Sequence, residues 1–274
     1  MRRTAIGLFG DYRTFDITAK TLSPLLTRDV DLFIDVWDKS HCENKMLGIS
    51  YNANVSPTHV TEAITPYLNG ATLSVTVGKF SDCCGKFNEL TSYTNNNLAY
   101  LQRFESVYKS IVGAGVEYDT VFVARPDLFY NTAFCDASRI REGVIYSSMA
   151  PVHNKKTIND MLFAAKFNTF SAVFKEFTPK FGALASDWHK WVYEFLMARA
   201  DISDACVLSD SVIARPTVTN TDVYTDVVNK NNEWWYALIL ETFYKYGEEV
   251  TLRFWTKEQL ALAKKQAHEN RNFN

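Results

Sequence analysis

Strand-forming and helix-forming stretches alternate through the first half of this 274-residue chain. Of all the features of the sequence, this alternation most restricts the folds that the chain can adopt. Four short runs are rich in β-branched and aromatic residues: Thr4–Phe9, Val30–Val36, Ala71–Val77 and Thr120–Ala124. Strands that alternate with helical crossovers assemble into a parallel sheet with helices on its faces. The pattern therefore predicts an α/β fold with a mostly parallel, Rossmann-type sheet.

Helix start and stop signals separate these strands. Apolar spacing predicts a helix from Phe15 to Leu26. Ser56-Pro57 combines an N-cap residue with Pro at the first helical position, and it opens a helix that Asn69-Gly70 stops. A longer helix is predicted over residues 97–112, where apolar residues recur at helical spacing and Gly113 follows.

The second half is more mixed. Strands are predicted over residues 143–147 and 161–165. Helices are predicted over residues 169–177, 187–200, 233–246 and 256–269. Thr256 and Gln259 form a capping box for the last helix. We find no repeat and no linker, and we predict a single domain over residues 1–274 with a helical C-terminal part.

Composition excludes several classes of protein. The formal net charge of −2 and the pI near 6.2 do not indicate a nucleic-acid binder, which usually has a basic surface. No stretch approaches the ~20 apolar residues of a membrane span, and the N-terminal apolar run is too short for a signal peptide. We therefore expect a cytoplasmic protein without a transmembrane segment. Lys257, Lys264 and Lys265 in the last helix fit either peripheral membrane contact or a solvated face.

Polar residues follow the predicted strands at the edge where parallel sheets bind ligands. Gly10-Asp11-Tyr12-Arg13 follows the first strand, and Arg13 could clamp a phosphate. Asp35 ends the second strand. Arg125-Pro126-Asp127 follows the fourth, where a carboxylate could bind Mg²⁺ or Mn²⁺, or where Arg and Asp could simply close a turn. Asn159-Asp160 precedes a later predicted strand. It could belong to an acceptor site, or it could simply form a turn.

The order of these motifs resembles the GT-A type glycosyltransferases of bacterial surface-polysaccharide loci, large viruses and phages. The resemblance covers about residues 4–165 through four sequences: an Arg-Thr-Phe turn at 13–15, Asp31-x-Phe33 to Trp37-Asp38, Tyr118-Asp119 to Arg125-Pro126-Asp127-Leu128, and Asn159-Asp160-Met161. It implies a GT-A like fold with a nucleotide-binding half, 1–130, and an acceptor half with C-terminal helices, 131–274. It also implies a nucleotide-sugar donor and a glycan or glycoconjugate acceptor.

By this resemblance, the donor site comprises Gly10, Asp11, Arg13, Asp35, Gln102 and Arg125. Asp127 is then the catalytic carboxylate that would hold Mn²⁺ or Mg²⁺, although Arg125 replaces the first Asp of the family's Asp-x-Asp motif. A literal Asp29-Val30-Asp31 lies at the wrong end of the sheet. Asp160 is the predicted catalytic base, and Asn159, Asp187 and His189 are predicted to line the acceptor site.

Two other functions stay open from the sequence. The missing Asp of the Asp-x-Asp motif favours a degenerate fold that binds a glycan or partner without turnover. Another α/β enzyme, such as a nucleotide-dependent hydrolase or a methyltransferase, is disfavoured because a glycine-rich cofactor loop and a Gly-x-Ser-x-Gly elbow are absent.

Overall fold

The computed structural model describes residues 3–12, 15–44, 49–84, 92–130, 137–147, 162–177, 188–204, 212–213 and 256–271, with residues 239, 243, 248, 251 and 252. The strands are β1 (Arg3–Gly10), β2 (Val30–Trp37), β3 (Lys39–Asn44), β4 (Ile49–Asn54), β5 (Thr72–Gly78), β6 (Tyr118–Ala124), β7 (Leu128–Phe129), β8 (Val144–Ser147), β9 (Leu162–Lys166), β10 (Asp201–Asp204) and β11 (Val212–Ile213). The α-helices are α1 (Phe15–Thr18), α2 (Pro57–Ile64), α3 (Phe80–Cys84), α4 (Ser92–Gly113), α5 (Phe167–Phe174), α6 (Trp188–Met197) and α7 (Lys257–Arg271).

Seven of the described strands form one sheet in the order β10-β8-β9-β6-β1-β2-β5. Every pairing in it is parallel except those of β9, which runs antiparallel to β6 and to β8. The predicted α/β fold with a mostly parallel sheet flanked by helices is therefore confirmed. The sheet places the ends of β1 and β6 side by side, and the strand order reverses there.

Apolar side chains cover both faces of this sheet. On one face, Leu8 and Ile34 pack with Phe15, Leu22 and residues of α2. On the other face, α4 and α5 cover the sheet with a group of aromatic and aliphatic side chains, among them Phe9, Phe104, Val107, Ile111, Phe163, Phe170 and Phe174. Because β1 and β2 are buried on both sides, most of their residues are apolar, although β2 also carries the buried Asp31 and Asp35.

Local sequence signals set the N-termini of two helices as predicted, although α2 ends at Ile64, before the predicted stop at Asn69-Gly70. The Ser56 hydroxyl accepts a hydrogen bond from the backbone N–H of His59 at 3.1 Å. At the start of α7, the side chain of Gln259 accepts from the N–H of Thr256 at 2.9 Å, and the hydroxyl of Thr256 accepts from the N–H of Gln259 at 3.2 Å. The helix predicted from Phe15 is shorter than expected, since α1 ends at Thr18 and a 3₁₀ turn continues to Leu22. The helix predicted over 233–246 lies mostly outside the described residues.

A hairpin of β3 and β4, which the sequence analysis did not predict, follows β2. Its strands pair antiparallel over six positions, beginning with Lys39 opposite Asn54 and ending with Asn44 opposite Ile49. Alternating apolar and polar residues are a weak feature of these strands, so periodicity does not reveal them. Within the described residues no helix combines the length and apolar character needed to cross a bilayer.

Gly7 allows α4 to approach β1 closely. A Cβ built there would lie 3.0 Å from side-chain atoms of Val107, Ile111 and Val123. We expect Gly7→Val to lower the free energy of unfolding by about 1–3 kcal/mol, because the added methyl groups overpack this contact. Urea denaturation measures the effect. Gly113→Ala is the matched control, since nothing lies within 4 Å of its Cβ position; an equal loss in both variants would contradict the packing argument.

Candidate functional site

The turns after β1 and β6 meet at the carboxyl edge of the sheet. Leu8 pairs with Ala124, so Gly10 and Arg125 leave neighbouring strand ends. Gly10 has φ of +110°, a conformation that side chains with a Cβ rarely adopt, and it turns the chain away from the sheet. Ligands of open α/β sheets bind at such a point, where the strand order reverses.

Arg125 and Asp127 form a two-point ion pair across Pro126. Arg125 donates from Nε to Oδ1 of Asp127 at 2.8 Å, and from Nη2 to Oδ2. Only 1% of Asp127 is exposed. A guanidinium bound through two parallel N–H groups has a fixed plane and direction. The pair therefore holds one cation in a defined orientation at the strand end.

Hydrogen bonds tie this turn to the chain that follows β1. The Thr18 hydroxyl donates to the carbonyl of Pro126 at 2.6 Å. The Thr21 hydroxyl accepts from the backbone N–H of Tyr130 at 3.0 Å, and the phenol of Tyr130 donates to the carbonyl of Arg125. The two turns at the switch point thus form one connected unit.

Tyr12, Asp16 and His59 form a second polar cluster beside the first turn. The phenol of Tyr12 donates to Asp16, and His59 Nε2 lies 3.2 Å from the same carboxylate oxygen. Burial raises the pKa of the Asp16 carboxyl, while Tyr12 and His59 act in the opposite direction. Burial and Asp16 together raise the pKa of Tyr12. This cluster fixes α1 against the first turn of α2.

Asp35 lies near the end of β2 but faces inward, under α4. Its carboxylate accepts from Nη1 of Arg103 at 2.7 Å and from the hydroxyl of Ser106. Only 1% of Asp35 is exposed, so in this conformation it is closed off from a nucleotide. Sequence reasoning singled out the neighbouring Gln102, which is half-buried, and missed Arg103. The sequence did contain a signal for Arg103, because a buried carboxylate on one element requires a cation on a neighbouring element.

The buried Asp35 makes stability depend on pH. Burial raises the pKa of its carboxyl above the ordinary value of 3.8, although Ser106 and Arg103 oppose this. Above the unfolded pKa and up to the native one, the native state binds more protons than the unfolded chain, so this contribution to stability falls as pH rises. We expect the free energy of unfolding of the wild type, relative to that of Asp35→Asn, to fall through this window. Urea denaturation from about pH 4 to about pH 7 measures both. Parallel profiles would contradict the assignment.

The structure brings together part of the predicted donor set. Gly10, Asp11 and Arg125 lie at the switch point together with Asp127, the predicted metal-binding carboxylate. Asp35 lies under α4 beside this point, and Gln102 lies on α4. Arg13, Asn159, Asp160 and Asp187 lie outside the described residues. His189 belongs to α6, but only its backbone is described. Asp31 of the literal Asp-x-Asp lies at the opposite edge, where it binds Arg3 and Tyr118, as expected from the sequence.

Among the described residues, no three His, Cys, Asp or Glu side chains come together as metal ligands would. Both oxygens of Asp127 accept hydrogen bonds from Arg125. The binding of Mn²⁺ or Mg²⁺ at Asp127 stays a prediction.

Comparisons with known proteins give distant structural similarities. No protein-family model matches the chain, and no curated protein matches it. The apo-form glycosyltransferase GlyE of Streptococcus pneumoniae TIGR4 is similar with a TM-score of 0.40 and 10% identity, over 74% of this chain and 45% of its own. A second structure of GlyE has a TM-score of 0.43 and 9% identity, over 92% and 52%.

Mouse xyloside xylosyltransferase 1, in its apo form, is similar with a TM-score of 0.35 and 14% identity, over 76% of this chain and 81% of its own. This chain spans about half the length of the GlyE structures that it matches. All three scores are low, so these similarities assign neither a family nor an activity to the chain.

Proposed function

We propose that this protein is a glycosyltransferase that binds a nucleotide-sugar donor at the switch point of the sheet. One observation carries the proposal: the Arg125–Asp127 turn is fixed to α1 at the ends of β1 and β6. The motif order in the sequence supports the same reading. The donor would lie across the turn at Gly10 and Asp11, with its diphosphate near Arg125.

The charge of Arg125 suggests how the reaction would proceed. A departing nucleoside diphosphate carries negative charge that must be stabilised, and an oriented guanidinium at the edge of a buried site can do this without reorganising. Asp127 would then act as a positioning residue for Arg125. Asp160, which precedes Leu162 by two positions in the sequence, is the proposed base for the acceptor hydroxyl.

The first test is thermal stabilisation by a panel of nucleoside diphosphates and nucleotide sugars, with Mn²⁺, Mg²⁺ or EDTA. A ligand that binds only the native state, at a free concentration of about 100 times its Kd, adds about 2.7 kcal/mol to the free energy of unfolding. We expect one nucleotide sugar to raise the melting temperature, and Arg125→Lys to reduce that rise. Lys109→Met, which removes an exposed charge from α4, is the control.

The outcomes separate the hypotheses. A flat panel with well-folded wild-type protein would contradict the donor site. Loss of the rise in EDTA would support the predicted metal at Asp127. The sequestered Asp127 also fits a catalytically degenerate sugar-nucleotide fold that binds a glycan or a partner without turnover. Release of nucleoside diphosphate from the bound donor, measured over time, distinguishes an enzyme from such a module.

A further inference from the structure

The strand β5 forms one edge of the seven-stranded sheet. It pairs with β2 along its whole length, and no other described strand pairs with it. On one face of the strand, the side chains of Thr72, Ser74 and Thr76 are exposed. The outer side of an edge strand presents a row of backbone N–H and C=O groups, to which another strand can bind.

The bonds between β5 and β2 determine which backbone groups point away from the sheet. The carbonyl of Gly78 accepts from the N–H of Asp38, which joins β2 to the β3–β4 hairpin, at 2.8 Å. In an extended strand, the N–H and C=O of one residue point to the same side, and those of the next residue point to the other. Gly78 and every second residue before it therefore bond to β2. The outward groups are those of Leu73, Val75 and Val77.

The hydrophobic core on the α2 side of the sheet is incompletely covered along this edge. Among the described residues, the apolar side chains that pack against this core and stay partly exposed all lie between residues 63 and 77, at the end of α2 and along β5. Leu73, Val75 and Val77 are three of them. A strand added at this edge would remove apolar surface from water, which is favourable.

The same stretch carries no charge. Residues 63–77 contain no Asp, Glu, Lys, Arg or His, and the nearest charged residues along the chain are Glu62 and Lys79. Edge strands are commonly protected against pairing by Lys, Pro or a bulge, whereas β5 contains no Lys or Pro and pairs with β2 in unbroken register. A two-fold axis brings a residue near its own copy, where a charge would meet an equal charge. An uncharged edge therefore suits a second copy of this chain.

The sequence of β5 is also self-complementary in an antiparallel pairing centred on Val75. With Val75 opposite its own copy, Leu73 lies opposite Val77, and Ser74 lies opposite Thr76. Apolar side chains then meet on the α2 side, and hydroxyl side chains meet on the other side; both are favourable cross-strand pairs. The outward-pointing residues are the ones that face each other, so each such pair exchanges both of its N–H···O=C bonds.

We propose that this protein forms a homodimer through antiparallel pairing of β5 with β5 of a second copy. The pairing continues the sheet from one copy into the other. Because it uses the same edge of both copies, the assembly closes at two chains. The carboxyl edges of the two sheets then point in opposite directions. The dimer does not rest on the proposed donor site, so the two proposals fail or stand independently.

Sedimentation velocity at micromolar to submillimolar protein measures the assembly. We expect the wild type to sediment with twice the 31.3 kDa mass of one chain. Ser74→Lys with Thr76→Lys should melt cooperatively as a monomer, because both side chains are exposed in the single chain and each lysine would meet a lysine of the second copy. Val112→Lys with Met197→Lys adds the same charge at exposed positions of α4 and α6, and this control should stay dimeric.

Oppositely charged variants test the register. Ser74→Glu with Thr76→Glu should be monomeric by itself, like the lysine variant. In a mixture of the two variants, each lysine would lie opposite a glutamate. We expect the mixture to associate at least about tenfold more tightly than either variant alone.

Proline variants test the backbone pairing. The N–H of Val75 points outward, so Val75→Pro removes no bond to β2 but blocks the central pair of the dimer. It should fold as a monomer. Thr76→Pro removes a bond to β2, because the N–H of Thr76 points inward, and it should melt at a lower temperature than Val75→Pro.

The contrary results are specific. A wild type that stays monomeric over the whole concentration range overturns the dimer, whether or not a nucleotide sugar binds. Dimers of the lysine variant or of Val75→Pro overturn β5 as the interface. Failure of the oppositely charged variants to associate overturns the register centred on Val75.

Discussion

Arg125→Met is expected to lose about 3–5 kcal/mol of unfolding free energy, because it removes the guanidinium that binds the buried carboxylate of Asp127. The double variant Arg125→Met with Asp127→Leu should regain part of that loss, since it removes the buried carboxylate as well. Both variants should fail to respond to the nucleotide sugar that stabilises the wild type. Urea denaturation of the wild type, Arg125→Met, Asp127→Leu and the double variant measures the interaction free energy between Arg125 and Asp127.

The double variant tests whether the loss of stability in Arg125→Met comes from the charge of Asp127. If the single variant were within about 1 kcal/mol of the wild type, Asp127 would have another sufficient partner in the native state. If the double variant were less stable than the single one, the turn would depend on the shape of the ion pair rather than on its charge balance.

Phe104→Ala is expected to cost about 3–5 kcal/mol, because a large ring is removed from the centre of a packed aromatic group. The Phe104 ring lies edge to face with Phe9 at 5.1 Å between centroids, and 4.9 Å from the rings of Phe174 and Phe177. This group joins α4, α5 and β1, so its loss should weaken the whole sheet face.

Val112→Ala on the same helix is the matched control for this change. Its side chain is among the exposed apolar ones, at 38%, and we expect an effect within about 0.5 kcal/mol. Equal losses in both variants, measured by urea denaturation, would show that helix propensity rather than packing sets the stability of α4.

The strands and caps of the core could be predicted because their signals are local. The run from Val30 to Val36 is buried on both faces, as a central strand requires. In β5, Thr72, Ser74 and Thr76 are exposed while Leu73, Val75 and Val77 are partly covered, as the alternation predicts. Ser56 and the pair of Thr256 and Gln259 cap their helices within three residues of themselves. Each signal acts between residues close in the sequence.

The candidate site could be predicted only in part. The sequence places Gly10 and Arg125 after strands, and parallel pairing then brings their turns together. It does not show that Asp127 is bound by Arg125 rather than open to a cation, because the same three residues fit both. Nor does it show that Asp35 faces α4, since that depends on which helix covers which face of the sheet.

Residue order by itself therefore determined the core strands, the N-terminal caps of two helices and the sequence of motifs along the chain. The tertiary structure decided the direction of β9, the pairing of Asp35 with Arg103, the tie between Thr18 and Pro126, and the hairpin on Asp38. The reason is physical. Hydrogen bonds and ion pairs between residues far apart in the chain form only after the sheet has brought its strand ends together, and their partners leave no periodic trace in the sequence.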